Sequence, residues 1–365
     1  MSTPAPAAPM MPLQKLLPFL KLAVDKNASD LFFTPNSPAM LKIEGEMMAI
    51  GKQQMTTEMI RDLAYSILTK EQQDYLRQNL EIDLATQAGG IGRFRVNIFH
   101  QRGTIGMVLR YVKSQVPTIE ELGVPEVLKD LIMQKRGMIL MVGATGSGKS
   151  TTLAAMINHR NESRTGHILT IEDPIEFLHP NKRSIVNQRE VGQDTLTYDN
   201  ALKSSLREAP DLILIGEIRK RDTMEACIQL ANTGHLAIST LHANNAYQAL
   251  QRIVNLYPDE LRDQLYMDLS LTLRAIVSQR LVRRKDGRRC AAIEIMVNTP
   301  YVSELILSKK IDEVKEAMSQ SSDKAMQTFD TSLFKLYKDG LIDLEEALSN
   351  ADSRTNLEAK INFGA

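Results

Sequence analysis

The chain has 365 residues, 43% of them hydrophobic, which is enough for two or three domains with ample core. Its 44 basic residues balance 44 acidic ones, so no global field draws the molecule onto nucleic acid or an anionic membrane. Its two cysteines, Cys227 and Cys290, stand far apart without a C-x-x-C pair, which excludes a zinc ribbon built from the chain's own thiols and suits a reducing, cytoplasmic setting.

Residues 1–12 carry Pro4, Pro6 and Pro9 and are expected to be disordered. They lack the pattern of a secretory signal, and no stretch of the chain reaches the roughly 18 apolar residues of a membrane span, so no direct membrane insertion is expected. Leu16, Leu17, Leu20 and Val24 recur at helical spacing over residues 13–25. Residues 29–33 and 39–43 read as short strands around the turn-rich 34–38. Two helical patterns follow at 57–68 and 70–80, and 81–85, 91–100 and 103–111 alternate like neighbouring antiparallel strands, with Gly89 and Gly90 at a hairpin turn. The spacing predicts an α+β domain over 13–113. Arg93, Arg95 and Arg110 lie on its strands, as part of a solvated sheet face or as cations for a neighbouring subunit's triphosphate.

Residues 114–135, with Pro117, Gly123 and Pro125, read as a linker that picks up a helix at 125–133, with a hinge near 114–124. Beyond it strand, loop and helix repeat, which predicts a doubly wound α/β domain over 136–298. The apolar run 138–142 leads into Gly143, Ala144, Thr145, Gly146, Ser147, Gly148, Lys149 and Ser150, a full match to G-x-x-x-x-G-K-[ST], and Thr151 opens a helical stretch. A strand before and a helix after are the context in which backbone N–H groups cradle a β-phosphate. Lys149 then reaches the β/γ oxygens, and the Ser150 hydroxyl holds Mg²⁺.

The next strands are expected at 167–173, 211–217 and 236–241. A hairpin excursion is expected at 182–190, and helices at 200–208, 222–231, 250–255 and 261–281. The basic run from Arg280 to Arg289 reads as a solvated hairpin or a subunit contact, since no aromatic residue is interleaved for base stacking. A strand at 290–297 closes this part, and 299–365 reads as a helical tail.

Hydrolysis of a γ-phosphate needs a phosphate cradle, Mg²⁺, a carboxylate at the attacking water and a cation on the developing charge. Glu176 and Glu217 follow two separate strands, where a parallel sheet would bring them to the edge of the phosphate loop. His242 follows the strand 236–241 directly and can hydrogen-bond a γ-phosphate. His235 lies seven residues earlier, so its side chain should face the other side, and a structural role is nearly as fitting.

Four stretches in order, 143–151, 170–177 (Thr-Ile-Glu-Asp-Pro-Ile-Glu-Phe), 211–219 (Asp-Leu-Ile-Leu-Ile-Gly-Glu-Ile-Arg) and 233–242, resemble the boxes of the secretion ATPases of type II and type IV systems. Ser29-Asp-Leu-Phe32 and Gly92-Arg-Phe-Arg-Val96 are similar to the PAS-like amino-terminal domain of their pilus retraction subgroup. Stretches 106–110, 241–246 and 326–330 are similar to the accessory branch of that subgroup, while Tyr301-Val-Ser-Glu-Leu-Ile306 departs from the principal motor. The resemblance implies a PAS-like domain followed by a RecA-like ATPase core with ATP and Mg²⁺ as cofactors. It implies homo-hexameric rings, with the principal retraction ATPase and an inner-membrane pilus platform protein as partners. It assigns Glu176 as general base, Glu217 to Mg²⁺ and water, His242 to sensing phosphate, and Arg93, Arg95 and Arg110 to the neighbouring nucleotide.

Two other readings use the same core: a nucleotide-binding structural subunit with little turnover of its own, and a DNA-translocating ATPase. Balanced charge argues against nucleic acid as a partner.

Overall fold

The computed structural model describes residues 13–43, 45–112 and 115–363, so the expectation for 1–12 lies outside the described residues. The chain divides into two compact units at residues 114 and 115.

Among its described residues the first unit is a six-stranded antiparallel sheet with three α-helices. The strands are β1 (Asp30–Phe33), β2 (Ala39–Ile43), β3 (Glu46–Ile50), β4 (Glu81–Ala88), β5 (Gly92–Gln101) and β6 (Thr104–Val112), in the order β3-β2-β1-β6-β5-β4. Helices α1 (Leu17–Asp25), α2 (Thr57–Ser66) and α3 (Lys70–Asn79) share one core with the sheet, in which Leu20, Phe33, Ile60, Leu76, Ile98 and Met107 are fully buried. Each such side chain contributes roughly 1.5–3 kcal/mol by leaving water. Helix starts are set locally: the Thr56 hydroxyl accepts the Met59 N–H, and Thr69 and Gln72 form a capping box. On β5, Phe94, Val96 and Ile98 point to the core, so Arg93, Arg95 and Asn97 point to the opposite face. Strand β3 was not expected from the sequence; its residues lie on the sheet edge with no alternation of buried and exposed positions to mark it.

The second unit is a seven-stranded sheet, β7 (Gly137–Val142), β8 (Gly166–Glu172), β9 (Ser184–Glu190), β10 (Leu212–Glu217), β11 (Leu236–Leu241), β12 (Leu273–Arg283) and β13 (Arg289–Val297). Its order is β13-β12-β7-β11-β10-β8-β9, parallel throughout except for β13. Helices α4 (Val127–Ile132), α5 (Lys149–Ser163), α6 (Tyr198–Ser205), α7 (Arg221–Asn232), α8 (Ala246–Asn255), α9 (Arg262–Thr272) and α10 (Pro300–Leu307) cover its two faces. The interior strand β7 supplies both cores: Met138, Leu140 and Val142 to one, Ile139 and Met141 to the other. That is why the run is apolar without alternation.

Three sequence expectations change here. Residues 115–135, expected as a linker, belong to the second unit, with Ile119, Val124, Leu128 and Ile132 buried. The excursion at 182–190 is no hairpin but β9, paired in parallel with β8 from Gly166/Ser184 to Glu172/Glu190. The helix expected over 261–281 ends at Thr272 and continues as β12, because Leu273, Ala275, Ile276 and Val277 feed the two cores on opposite faces, which only an extended chain allows.

The tail adds α11 (Val314–Ser319), α12 (Phe329–Lys338), α13 (Leu344–Ser349) and α14 (Arg354–Phe363). Phe329, Leu333, Ile342, Ala347 and Leu357 pack there against Val282 and Ala292 of the β12–β13 hairpin. Arg280 is not solvated as expected for the basic run. Its guanidinium lies 3.9 Å from the Phe329 ring centroid and donates to Asn350 O at 2.7 Å and Asp352 Oδ1 at 2.6 Å. The rest of the run is open as expected: Arg283, Lys285, Arg288 and Arg289 are exposed, and Arg284 and Arg288 lie on Asp286.

Candidate active site

Strands β7, β11, β10 and β8 are consecutive neighbours in one parallel sheet, so whatever follows each of them arrives at the same edge. The phosphate loop follows β7, Glu176 lies beyond β8, Glu217 closes β10 and His242 follows β11. A cavity of about 320 Å³ at that edge is lined by Thr145, Lys149, Ser150, Glu176, Glu217 and His242 among others.

The loop's shape comes from two glycines. Gly148 is the N-cap of α5 with φ +86°, and a Cβ there would sit 2.7 Å from Gln279 Nε2. Gly143 has φ +153°, and a Cβ would meet Gln279 O at 2.5 Å. A glycine cap leaves the N–H groups of the first turn of α5 to an anion at the positive end of the helix. From inside the fold Gln279 on β12 closes the loop: it donates to Ser147 O at 2.9 Å and accepts from Thr152 Oγ1 at 2.8 Å. The Lys149 ammonium is held by Gly143 O at 2.7 Å and Ala144 O at 2.8 Å. Burial lowers its pKa, opposed by Glu217 and Glu176. An incoming phosphate therefore meets a cation already poised among acceptors.

Both oxygens of Glu217 are engaged. His242 Nε2 lies 3.1 Å from Oε1, and Arg219 Nε donates to Oε2 at 2.7 Å. Arg219 went unremarked as a site residue although it stands two positions after Glu217, the spacing that returns a side chain to the same side of an extended chain. Glu172 is a second acid that sequence reasoning left without a role. Burial pushes its carboxyl up to about 7, opposed by hydrogen bonds from Thr170 Oγ1 at 2.6 Å and Gln188 Nε2 at 3.3 Å. Glu176 is exposed, so the carboxyl that closes β8 and the one on the loop after it occupy different environments. No sequence signal marks Gln279 or Gln188, because both lie in stretches whose element type the sequence obscured.

The fold does not bring His235 to the cavity. It precedes β11, at the end of the strand opposite His242, where its Nδ1 lies 3.0 Å from Thr233 Oγ1 and 3.1 Å from Leu230 O behind α7. Arg93, Arg95 and Arg110 share the open face of the first unit's sheet. Arg95 and Arg110 are cross-strand neighbours, and Arg110 Nε donates to the buried Asp30 Oδ1 at 2.7 Å.

The donor set fits Mg²⁺, which takes one or two protein oxygens together with phosphate oxygens and water. The Ser150 hydroxyl and the Glu217 carboxylate both line the cavity. Among the described residues no group of three His, Cys, Asp or Glu side chains could hold a metal by itself. No helix among them is long and apolar enough to cross a membrane.

The family profile described as Type II/IV secretion system protein matches residues 7–335. The chain is 48% identical over 356 residues to the type IV pilus ATPase PilU of Pseudomonas aeruginosa, covering 97% of this chain and 92% of that protein. It is 40% identical to the type IV pilus retraction ATPase PilT of the same organism, covering 93% and 98%. The structure of the pilus retraction motor PilT with bound ADP superposes with a TM-score of 0.88 at 38% identity, covering 94% of this chain and 98% of that one. With the phosphate loop, two acidic strand ends and His242 gathered at one sheet edge, the chain belongs to the type II/IV secretion ATPase family.

Proposed function

We propose that this chain is an ATP-hydrolysing motor subunit that powers, or assists, retraction of type IV pili and hence twitching motility. The observation that carries the reading is the convergence of Lys149, Glu176, Glu217 and His242 on one cavity in a chain that is 48% identical to PilU. Ser150 and Glu217 would hold Mg²⁺, which would supply positive charge against the phosphates. The loop N–H groups and Lys149 hold the phosphates. Glu176 accepts the proton of the attacking water, and His242, tied to Glu217, donates to the γ-phosphate side and changes partner once that group is gone.

The active assembly in this reading is a homo-hexamer lying in the cytoplasm at the pilus base. Arg93, Arg95 and Arg110 are the candidates to reach a neighbour's nucleotide, and the principal retraction ATPase and the inner-membrane platform protein are the partners.

The test is ATP turnover by the purified protein, alone and mixed with the principal motor, with Lys149→Ala as blank. Turnover alone marks an autonomous engine, and turnover only in the mixture marks an accessory subunit. Absence of turnover in both overturns the reading in favour of a nucleotide-binding structural subunit.

A further inference from the structure

Residues 173–181 form the loop that carries Glu176 from the end of β8 back toward β9. Three points of its backbone are held by side chains of β9. The Ile175 N–H donates to Glu190 Oε2 at 3.2 Å. The amide of Gln188 grips the loop twice, accepting from the His179 N–H at 2.8 Å and donating through Nε2 to Phe177 O at 2.8 Å. Glu176 thus sits between two residues, Ile175 and Phe177, each bonded to a side chain of the same strand. The far end is anchored by the fully buried Asn161, which donates to Pro180 O at 2.7 Å and accepts the Lys182 N–H at 3.2 Å.

Only an amide makes both Gln188 contacts, since it presents a donor and an acceptor in one plane. Its Nε2 also reaches Glu172 Oε1 at 3.3 Å, which ties the last residue of β8 to the same group. Ile175 is buried while Glu176 is exposed at the cavity, so a rotation of the loop by one position would turn the acid away from the phosphates. Hydrolysis depends steeply on such placement: a displacement of about 1 Å can cost on the order of 100-fold.

We propose that Gln188 is a positioning residue for ATP hydrolysis, fixing the loop so that the Glu176 carboxylate faces the attacking water. The inference rests on the reading of Glu176 as the water-activating group. It makes β9 more than an edge strand, for β9 sets the register of the loop.

The experiment compares the full chain in its assembled form with Gln188→Met, which keeps volume and removes both contacts, and Gln188→Glu, which keeps the acceptor for the His179 N–H. Steady-state kcat and KM for ATP are measured with the affinity for a fluorescent ADP analogue, and Glu176→Gln is run alone and combined with Gln188→Met. The expected result is a fall in kcat of about tenfold or more for Gln188→Met and for Gln188→Glu, whose second oxygen would face Phe177 O and Glu172, with KM and ADP affinity within about twofold, and no further loss when Gln188→Met is combined with Glu176→Gln. An unchanged kcat, or a kcat loss matched by an equal loss of ADP affinity, overturns the inference. If Gln188→Met does not fold, Gln188→Glu decides by the same kcat and KM criterion. Full turnover by Glu176→Gln overturns the underlying reading of Glu176 instead, so the two failures are told apart.

Discussion

His242 and Glu217 stand on the ends of adjacent parallel strands, with the imidazole Nε2 3.1 Å from the carboxylate Oε1. The pair joins the end of β10 to the end of β11, and Arg219 takes the second carboxylate oxygen. Any change of partner at His242 would therefore be felt at Glu217, the acid proposed to hold Mg²⁺.

Glu217→Gln removes the charge that Arg219 and His242 share while keeping the shape. Turnover should fall at least about 100-fold, the range seen when one electrostatic element of a preorganised site is removed, with ADP affinity changed far less. Steady-state ATPase assays beside equilibrium ADP binding check this, and a Gln variant with near-normal kcat would sink the role.

Lys149→Ala removes the one cation of the phosphate loop. Nucleotide affinity should drop by about tenfold or more and turnover should vanish, while thermal stability without nucleotide holds or rises slightly, because a buried ammonium is relieved. Binding titration and a melting curve read the two effects separately.

Arg280→Ala strips a stack on Phe329 and a largely enclosed ion pair with Asp352, whose side chain is 11% exposed. The loss should be roughly 2–4 kcal/mol in urea denaturation, and Arg280→Lys should recover less than half, since lysine cannot donate to Asn350 O and Asp352 in one plane. Equal stability of Lys and Arg proteins would refute the geometric account.

Glu294 on β13 accepts from the Ala246 N–H at 2.7 Å and Ser278 Oγ at 2.9 Å, and burial pushes its carboxyl up to about 7 from the ordinary 4.5, with Asp352 adding to the rise and Arg280 opposing it. A raised folded-state value means the folded chain holds a proton that the unfolded chain has lost, so this group's contribution to stability falls as pH climbs from about 4.5 to 7. Glu294→Gln removes that fall. The melting temperature of the variant minus that of the parent should therefore grow more positive between pH 5 and pH 8, by the equivalent of at most about 3 kcal/mol. The opposite effect of His179, whose pKa burial lowers to about 4, is common to both proteins and cancels. A pH-independent difference would exclude the buried titration.

The sequence by itself determined whatever is held in a short stretch of chain. The phosphate loop was legible because cradling a phosphate takes successive backbone groups of one turn, Glu217 and His242 because each stands at the end of an apolar run, and Glu176 because it lies in the short acidic stretch after another. Most helices were marked by local periodicity, and β7, β10 and β11 by unbroken apolar runs. The tertiary structure alone decided which strand ends are neighbours: β7 and β8 follow one another in sequence, yet two strands lie between them, and that order is what sets His242 beside Glu217. It also decided that 273–283 is extended, that 184–190 is a parallel edge strand, that Gln279 braces the phosphate loop from the other side, and that His235 ends up at the far edge of the sheet. Each of these depends on pairing between residues distant in the chain, where burial on two faces and long-range hydrogen bonds outweigh the weak local preference of a short stretch.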